Sequence, residues 1–346
     1  MTATTCVYFV ASPLQILAAQ QIARTHERGA RQVLVWYQPG VGAQVRAAEW
    51  DASGYLPWPR KHPLHGWFGG HRRLLANLDA VAALVGRCEV LHLHSAVFDA
   101  EAINYFLHAL PRRCGAATVR ARILPDGLIS MRRYPLSAVR RAAMWLRRFR
   151  QLVSPQLRYS IFSGDRIGSD APFCDRVYVL HGWPHEYSAA KAVELAPLSQ
   201  RGAHTALADA ALPSRALVIG QPLVGSGLMG AADCDAVALQ IGRWLAARGI
   251  AEVDYKGHPK DPHRELCLPH YRVLELTEPL ETWLAHTPYR AVVGVRSTAL
   301  LFARQLCAPE AEVVAFGWER TRFKSTAERT DMRSLFDRIG VTQACE

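Results

Sequence analysis

Histidine, lysine and a pair of hydroxyls stand at the ends of short apolar runs, and these side chains are suited to holding a phosphate. The richest stretch is Tyr255-Lys256-Gly257-His258-Pro259-Lys260. Glu252–Lys256 reads as a strand, Gly257 permits a tight turn and Pro259 fixes the loop. His258 and two lysines therefore gather at a strand's carboxyl edge, where α/β folds bind ligands. Histidine can donate a hydrogen bond or a proton, and lysine supplies charge; a solvated loop histidine has the same spacing. Val293-Gly294-Val295-Arg296-Ser297-Thr298 leads into an apolar helix. Two hydroxyls and backbone N–H groups at a helix N-terminus form an anion site, although simple capping by Ser297 needs the same residues. Gly220-Gln221-Pro222-Leu223 ends a strand in a tight loop, which serves a ligand or merely turns the chain. In the first half, Ser12 and Gln15 open a helix directly after the first strand. Asp126-Gly127 follows another strand, and Asp126 is the only acid between Glu101 and Asp165. A carboxylate there is a general base, or a turn residue satisfied by arginines.

The elements that must position these groups alternate. Strands are expected at Cys6–Val10, Gln32–Tyr37, Glu89–His94, Arg120–Leu124 and Arg176–Leu180. A second series is expected at Arg215–Gly220, Glu252–Lys256, Arg272–Leu276, Ala291–Val295 and Glu312–Phe316. Helices are expected at Pro13–Thr25, Arg72–Val85, Ala100–Leu110, Ala236–Ala247, Leu280–Ala285 and Thr298–Leu306. Two groups of five strands predict an α/β chain of two Rossmann-like domains with parallel sheets. The expected division is 1–195, 196–325 and a terminal helix within 326–346 packing back on the first domain, with an Ala- and Ser-rich linker near 188–213.

Together the motifs resemble the bacterial sialyltransferases of the GT-B fold, including the lipooligosaccharide sialyltransferases and capsular polysialyltransferases. That family carries an acidic pair followed by Gly, a His-Pro motif and a Ser/Thr pair, in that order. Here they look like Asp126-Gly127, His258-Pro259 and Ser297-Thr298; Ser12-Pro13-Leu14-Gln15 and Gly220-Gln221-Pro222-Leu223 are also similar. The resemblance runs from about residue 6 to 305 and implies two domains facing a central cleft. It implies transfer of a nonulosonic acid (sialic acid or an analogue) from its CMP ester to a hydroxyl of a cell-surface glycan, capsular or lipopolysaccharide.

The implied roles follow the chemistry. Asp126 deprotonates the acceptor, near Ser12, Gln15 and Gly127. His258 hydrogen-bonds or protonates the leaving phosphate. Gly220, Gln221, Pro222, Lys256, Gly257, Pro259, Arg296, Ser297 and Thr298 hold the donor. One phosphate needs less neutralisation than a diphosphate, so neither metal nor cofactor is expected; Asp233-Cys234-Asp235 is read as a helix cap. The position of the family's first acid is Pro125 here. Asp126 then takes over as base, or Asp99, His94 or His181 serves, or the reaction is retaining and needs none.

Charge and composition weigh the competing classes. Thirteen arginines, no lysine and two acids fall within 111–166, so this segment carries the whole net charge of +11 on the 346-residue chain. A uniformly basic nucleic-acid coat is disfavoured. From Ser137, the apolar residues Val139, Ala142, Leu146, Phe149 and Val153 recur at helical spacing, with Trp145 beside them. Arg140, Arg141, Arg147, Arg148 and Arg150 lie opposite. This is a core-facing helix with solvated arginines, or one that lies on anionic lipid or receives an anionic, lipid-linked acceptor. Gly225-Ser226-Gly227-Leu228-Met229-Gly230 is a literal GxGxxG with Asp254 24 residues further on, so an NAD(P)-dependent oxidoreductase is weighed. The glycines begin past the strand-to-helix turn, which argues against it. A GT-B enzyme using CMP-Kdo or a nucleotide-diphosphate sugar is the nearer alternative.

His92/His94 and His181/His185 invite a metal, yet no cysteine or carboxylate completes a compact set in sequence. Eight cysteines without a CxxC suggest reduced thiols. No apolar run reaches the roughly 18 residues of a membrane span. No Lys or Arg precedes the apolar stretch from Val7, so a protein that is not exported is expected, cytoplasmic or at the inner face of the cytoplasmic membrane.

Overall fold

The computed structural model describes residues 3–127, 131, 133–198, 212–258 and 261–344. The chain divides into two compact units, Met1–Leu180 with His185–Ala196, and His181–Pro184 with Pro197–Glu346.

In the first unit β1 (Thr4–Val10) runs into α1 (Pro13–Thr25), followed by β2 (Arg31–Trp36), β3 (Ala52–Tyr55) and α2 (Gly69–Val85). Then come β4 (Val90–Ser95), α3 (Glu101–Asn104), α4 (Phe106–Cys114), β5 (Thr118–Ile123), α5 (Ala138–Arg148), β6 (Cys174–Val179) and β7 (Ala192–Glu194). The sheet order is β3-β2-β1-β4-β5-β6-β7, parallel throughout. Six of the seven residues of β1 are buried, as in a parallel strand covered on both faces. Phe9 packs on Phe106 with ring centroids 4.8 Å apart, tying the central strand to α4.

In the second unit β8 (Arg215–Ile219), α6 (Ala231–Ala247), β9 (Glu252–Lys256), β10 (Arg272–Val273) and α7 (Leu280–His286) come first. They are followed by β11 (Ala291–Gly294), α8 (Thr298–Leu306), β12 (Glu312–Ala315), α9 (Thr326–Ile339) and β13 (Thr342–Gln343). This sheet is parallel in the order β10-β9-β8-β11-β12-β13. Its core gathers Val237 and Ile241 of α6 with Val218, Tyr255 and Val293 of the strands. The terminal helix α9 packs on β13 and α8 within this unit.

Two parallel α/β units are present, with more strands than the expected five each. The additions β3, β7 and β13 are edge strands of two to four residues, none with a buried apolar run. A sheet edge needs only backbone pairing on one side, so its residue types carry little pattern. The helix expected over 100–110 is two pieces that meet at Tyr105. The helix expected from Ala236 begins at Ala231, so Asp233 lies inside its first turn, where a carboxylate suits the dipole, and pairs with Arg320 at 3.2 Å.

Ser137 caps α5 as expected, accepting from the Arg140 N–H at 3.3 Å. The face of that helix is the reverse of a core-facing one. Val139, Ala142, Leu146 and Phe149 are exposed, and only Met144 is buried. Among the described residues, no helix is long and apolar enough to cross a membrane, and the cysteines are free thiols.

Candidate active site

Each sheet has one place where the strand order reverses, the position at which open α/β sheets generally bind ligands. In the first unit it lies between β1 and β4. Ser12 caps α1 by accepting from the Gln15 N–H at 3.3 Å. Gln15 is buried, and its Oε1 accepts from the Ala11 N–H at 2.7 Å. Its side chain also hydrogen-bonds Asp126, the half-buried residue that follows β5. Burial raises the Asp126 carboxyl above the usual carboxylate range, and the Gln15 hydrogen bond partly opposes the rise. Gly127 has φ +53°, a left-handed conformation that favours glycine. Pro125 is buried and has no ionisable group. Ser12, Gln15, Asp126 and Gly127 therefore share the β1 and β5 strand ends. Tyr37, just beyond β2, packs on Trp58 in a tilted arrangement with centroids 5.0 Å apart. Burial first, and the Asp126 charge second, push its phenol above its ordinary value. Tyr37 was not singled out from sequence, where it is one more aromatic at the end of a strand.

The other residues considered as a base are differently placed. His94 is fully buried in β4 and stacks on Tyr8 at 4.3 Å. Burial, then the neighbouring His92, lowers its pKa to about 3, so it is neutral and sealed from solvent. The Asp99 carboxylate is taken by Arg140 at 2.6 Å, with Arg166 at 3.7 Å. His181 is exposed, and its carbonyl accepts from the Gln305 amide at 2.7 Å within the second unit.

His92 belongs to a buried polar cluster under the first sheet. Glu27 receives the Arg122 guanidinium, His92 Nδ1 at 3.1 Å, Cys6 Sγ at 3.3 Å and the Tyr178 hydroxyl at 3.2 Å. Cys6, Glu27 and His92 sit close enough to hold a metal ion together. Arg122 argues against that reading. Its charge lies on the same carboxylate, and its Nη2 lies 3.4 Å from His92 Nε2, so Nε2 accepts and Nδ1 carries the proton. A protonated Nδ1 donates to Glu27 and offers no lone pair to a cation.

In the second unit the reversal lies between β8 and β11. Gly220, Gln221 and Pro222 leave β8; Arg296, Ser297 and Thr298 follow β11. The Gln221 Oε1 accepts from the Arg296 N–H at 3.2 Å, bridging the two loops. Gly220 has no room for a Cβ against the Tyr255 hydroxyl, and the Gly257 Cα lies 3.2 Å from that position, so β8 and β9 turn away in contact. Lys256 Nζ donates to the Gly257 carbonyl at 3.1 Å.

His258 is exposed, and its carbonyl accepts from the Asp261 N–H at 2.9 Å. The buried Asp261 carboxylate accepts from Tyr255 OH and from the Glu265 N–H, both at 3.1 Å. These contacts beside His258 involve Asp261, Tyr255 and Glu265, which sequence reasoning passed over because their roles depend on contacts made only in the fold. Pro259 and Lys260 lie outside the described residues. Ser297 Oγ accepts from the Ala299 N–H at 3.2 Å as a cap, and Thr298 is exposed at the first position of α8. The Arg296 guanidinium is engaged by Glu328 at 3.1 Å and the Arg322 carbonyl at 3.0 Å, over the ring of Phe323.

The literal GxGxxG is not free to cradle a pyrophosphate. The Glu265 carboxylate accepts from the Val224 N–H at 2.7 Å and the Gly225 N–H at 3.0 Å, and Gly230 caps α6. An anion already occupies the donors that a dinucleotide would need.

No protein-family model matches the chain, and no curated protein matches it. Solved structures match it in shape at low identity. The α/β-galactoside α-2,3-sialyltransferase of Photobacterium phosphoreum, a luminous marine bacterium, is 12% identical with a TM-score of 0.52, over 99% of this chain and 99% of that one. The fold is GT-B.

Two further structures match at lower scores. The Methanocaldococcus jannaschii UDP-GlcNAc 2-epimerase is 7% identical with a TM-score of 0.47, over 88% of this chain and 82% of that one. The E. coli ADP-heptose LPS heptosyltransferase II is 11% identical with a TM-score of 0.41, over 91% and 84%. Within the GT-B frame, the expected site residues among the described ones stand at carboxyl strand ends, four in the first unit and eight besides His258 in the second.

Proposed function

We propose that this chain is a glycosyltransferase that moves a nonulosonic acid from a CMP-activated donor to a hydroxyl of a cell-surface glycan. In this reading the transfer inverts configuration and needs neither metal nor cofactor. The observation that carries the proposal is the Gln221–Arg296 bridge across the strand-order reversal of the second sheet. It supports a donor site because the Gly-Gln-Pro, His-Pro and Ser-Thr motifs then follow three adjacent strands, β8, β9 and β11.

The proposed base and the proposed donor-binding groups lie on different units. In the first, Asp126 takes the proton of the acceptor hydroxyl as its oxygen bonds to the anomeric carbon. Burial raises its pKa, which makes the carboxylate a stronger base than an ordinary aspartate. In the second, the carbon–oxygen bond to the phosphate breaks and the electron pair leaves with CMP. His258 donates a hydrogen bond or proton to that phosphate, with Lys256 and the α8 N-terminus supplying positive charge.

A diphosphate donor carries more charge, and the Arg296 side chain is already committed to Glu328, which favours the single phosphate of CMP. The test is a thermal-shift panel on the whole chain. CMP and CTP should raise the Tm, while UDP, ADP, NAD(P) and RNA should not. Stabilisation by UDP or ADP in place of CMP transfers the donor assignment to a nucleotide-diphosphate sugar, and stabilisation by NAD(P) alone overturns the proposal.

A further inference from the structure

An apolar surface is left uncovered on the first unit by two separate elements. Along α5 and the turn that follows, Val139 is 79% exposed, Leu146 69%, Phe149 61% and Val153 80%. Across from them, the loop before α2 presents Trp67 and Phe68, exposed by 90% and 78%. The loop is built to hold them out. Leu64 N–H donates to the Gly69 carbonyl at 3.1 Å and Gly69 N–H to the Gly66 carbonyl at 3.2 Å. Gly69 has no room for a Cβ against the Leu64 carbonyl. Phe68 itself sits at φ +60°, a left-handed conformation that a non-glycine residue rarely adopts.

Between the loop and α5 lies a cavity of about 1380 Å³ whose walls include Trp67, Phe68 and Val153. Five arginines line it against two carboxylates, Asp99 and Glu101. Arg140 pairs with Asp99 at 2.6 Å, and Arg150 and Arg60 share Glu101 at 3.1 and 3.6 Å, so positive charge is left over. A smaller cavity of about 490 Å³ brings together Arg112, Arg148 and Arg158 with no carboxylate in its lining. Outward aliphatic and aromatic groups flanked by unneutralised arginines are complementary to an anionic bilayer, with its apolar interior and phosphate surface.

We propose that this face docks on an anionic phospholipid bilayer. Trp67, Phe68 and the outward stripe of α5 enter the interface, and lipid phosphates take the arginines of the two cavities. A second copy of the chain fits less well, because like faces would oppose arginine to arginine. A nucleic acid would use the arginines but not the aliphatic side chains of Val139, Leu146 and Val153. The proposal does not depend on the donor, since a chain that ignores CMP can still bind vesicles.

The experiment is flotation of the full chain with phosphatidylcholine vesicles, with and without phosphatidylglycerol. Binding should require phosphatidylglycerol and weaken as salt is raised. The double variants Trp67→Ala/Phe68→Ala and Leu146→Ser/Phe149→Ser should each weaken binding by about tenfold or more, as loss of inserted apolar area requires. Arg112→Gln/Arg158→Gln should weaken it and flatten its salt dependence. Unchanged melting temperatures in these exposed variants separate lost docking from lost folding. No binding to the anionic vesicles, or equal binding to neutral ones, overturns the proposal. So does a wild-type dimer that the apolar variants turn into monomer, which would make this face an interface between copies.

Discussion

In the proposed mechanism Asp126 is the base, and its burial also carries a folding cost. Its folded pKa is raised, so the fold favours the protonated form. Whatever stability that form contributes is present below the unfolded pKa and lost as pH rises through the folded one. Asp126→Asn should therefore gain Tm relative to wild type as pH increases, while transfer is abolished and CMP still binds. Melting curves at acid and neutral pH check the first part, and a transfer assay the second. Gln15→Leu removes the hydrogen bond that favours the carboxylate, so the acid limb of the pH–rate profile should move to higher pH. An unmoved limb would assign the base elsewhere. His258→Ala should lower turnover by about 10²-fold or more with little change in Tm, because the side chain is exposed.

At the scale of elements, two close contacts carry much of the architecture. β8 and β9 part around Gly220, which has no space for a methyl group against Tyr255. Gly220→Ala should cost about 1–3 kcal/mol as an overpacked site, readable by denaturant unfolding. Glu27 follows α1 and ties it to β1, β4, β5 and β6 through Cys6, His92, Arg122 and Tyr178. Arg122→Leu leaves that buried carboxylate without its cation and should cost about 3–5 kcal/mol. The interior strands were readable from short apolar runs bounded by Gly, Pro or Ser. The edge strands β3, β7 and β13 were not, because half-exposed pairing leaves no periodic trace.

For the whole molecule, the local charge arithmetic changes its meaning. The surplus of 111–166 is met in part by acids far along the chain. Asp79 takes Arg113, Glu27 and Asp175 take Arg122, Asp99 takes Arg140, and Glu101 takes Arg150. Arg112, Arg147, Arg148 and Arg158, which have no carboxylate partner among the described ion pairs, line the two cavities beside α5. Ligand linkage tests the molecule as a unit. At a concentration of CMP about 100 times its Kd, stabilisation should approach about 2.7 kcal/mol, and the Tm gain should scale with the logarithm of nucleotide concentration.

The amino-acid sequence by itself determined the alternation of strands and helices and the order of the strand-end motifs. These depend on near neighbours: a buried run forms a central strand, and glycine or proline ends it. Thus Ser12, Asp126, His258 and Ser297 could all be put at strand ends before any contact was known. Only the tertiary structure decided that Gln15 meets Asp126, that Gln221 bridges to Arg296, and that Glu265 occupies the glycine-rich loop. It alone turned the apolar stripe of α5 outward while Arg140 and Arg150 found carboxylates beside it. The physical reason is that burial and charge pairing are set by residues distant in sequence. A helical repeat of apolar residues shows that a helix has two faces, and the rest of the fold settles which of them meets solvent.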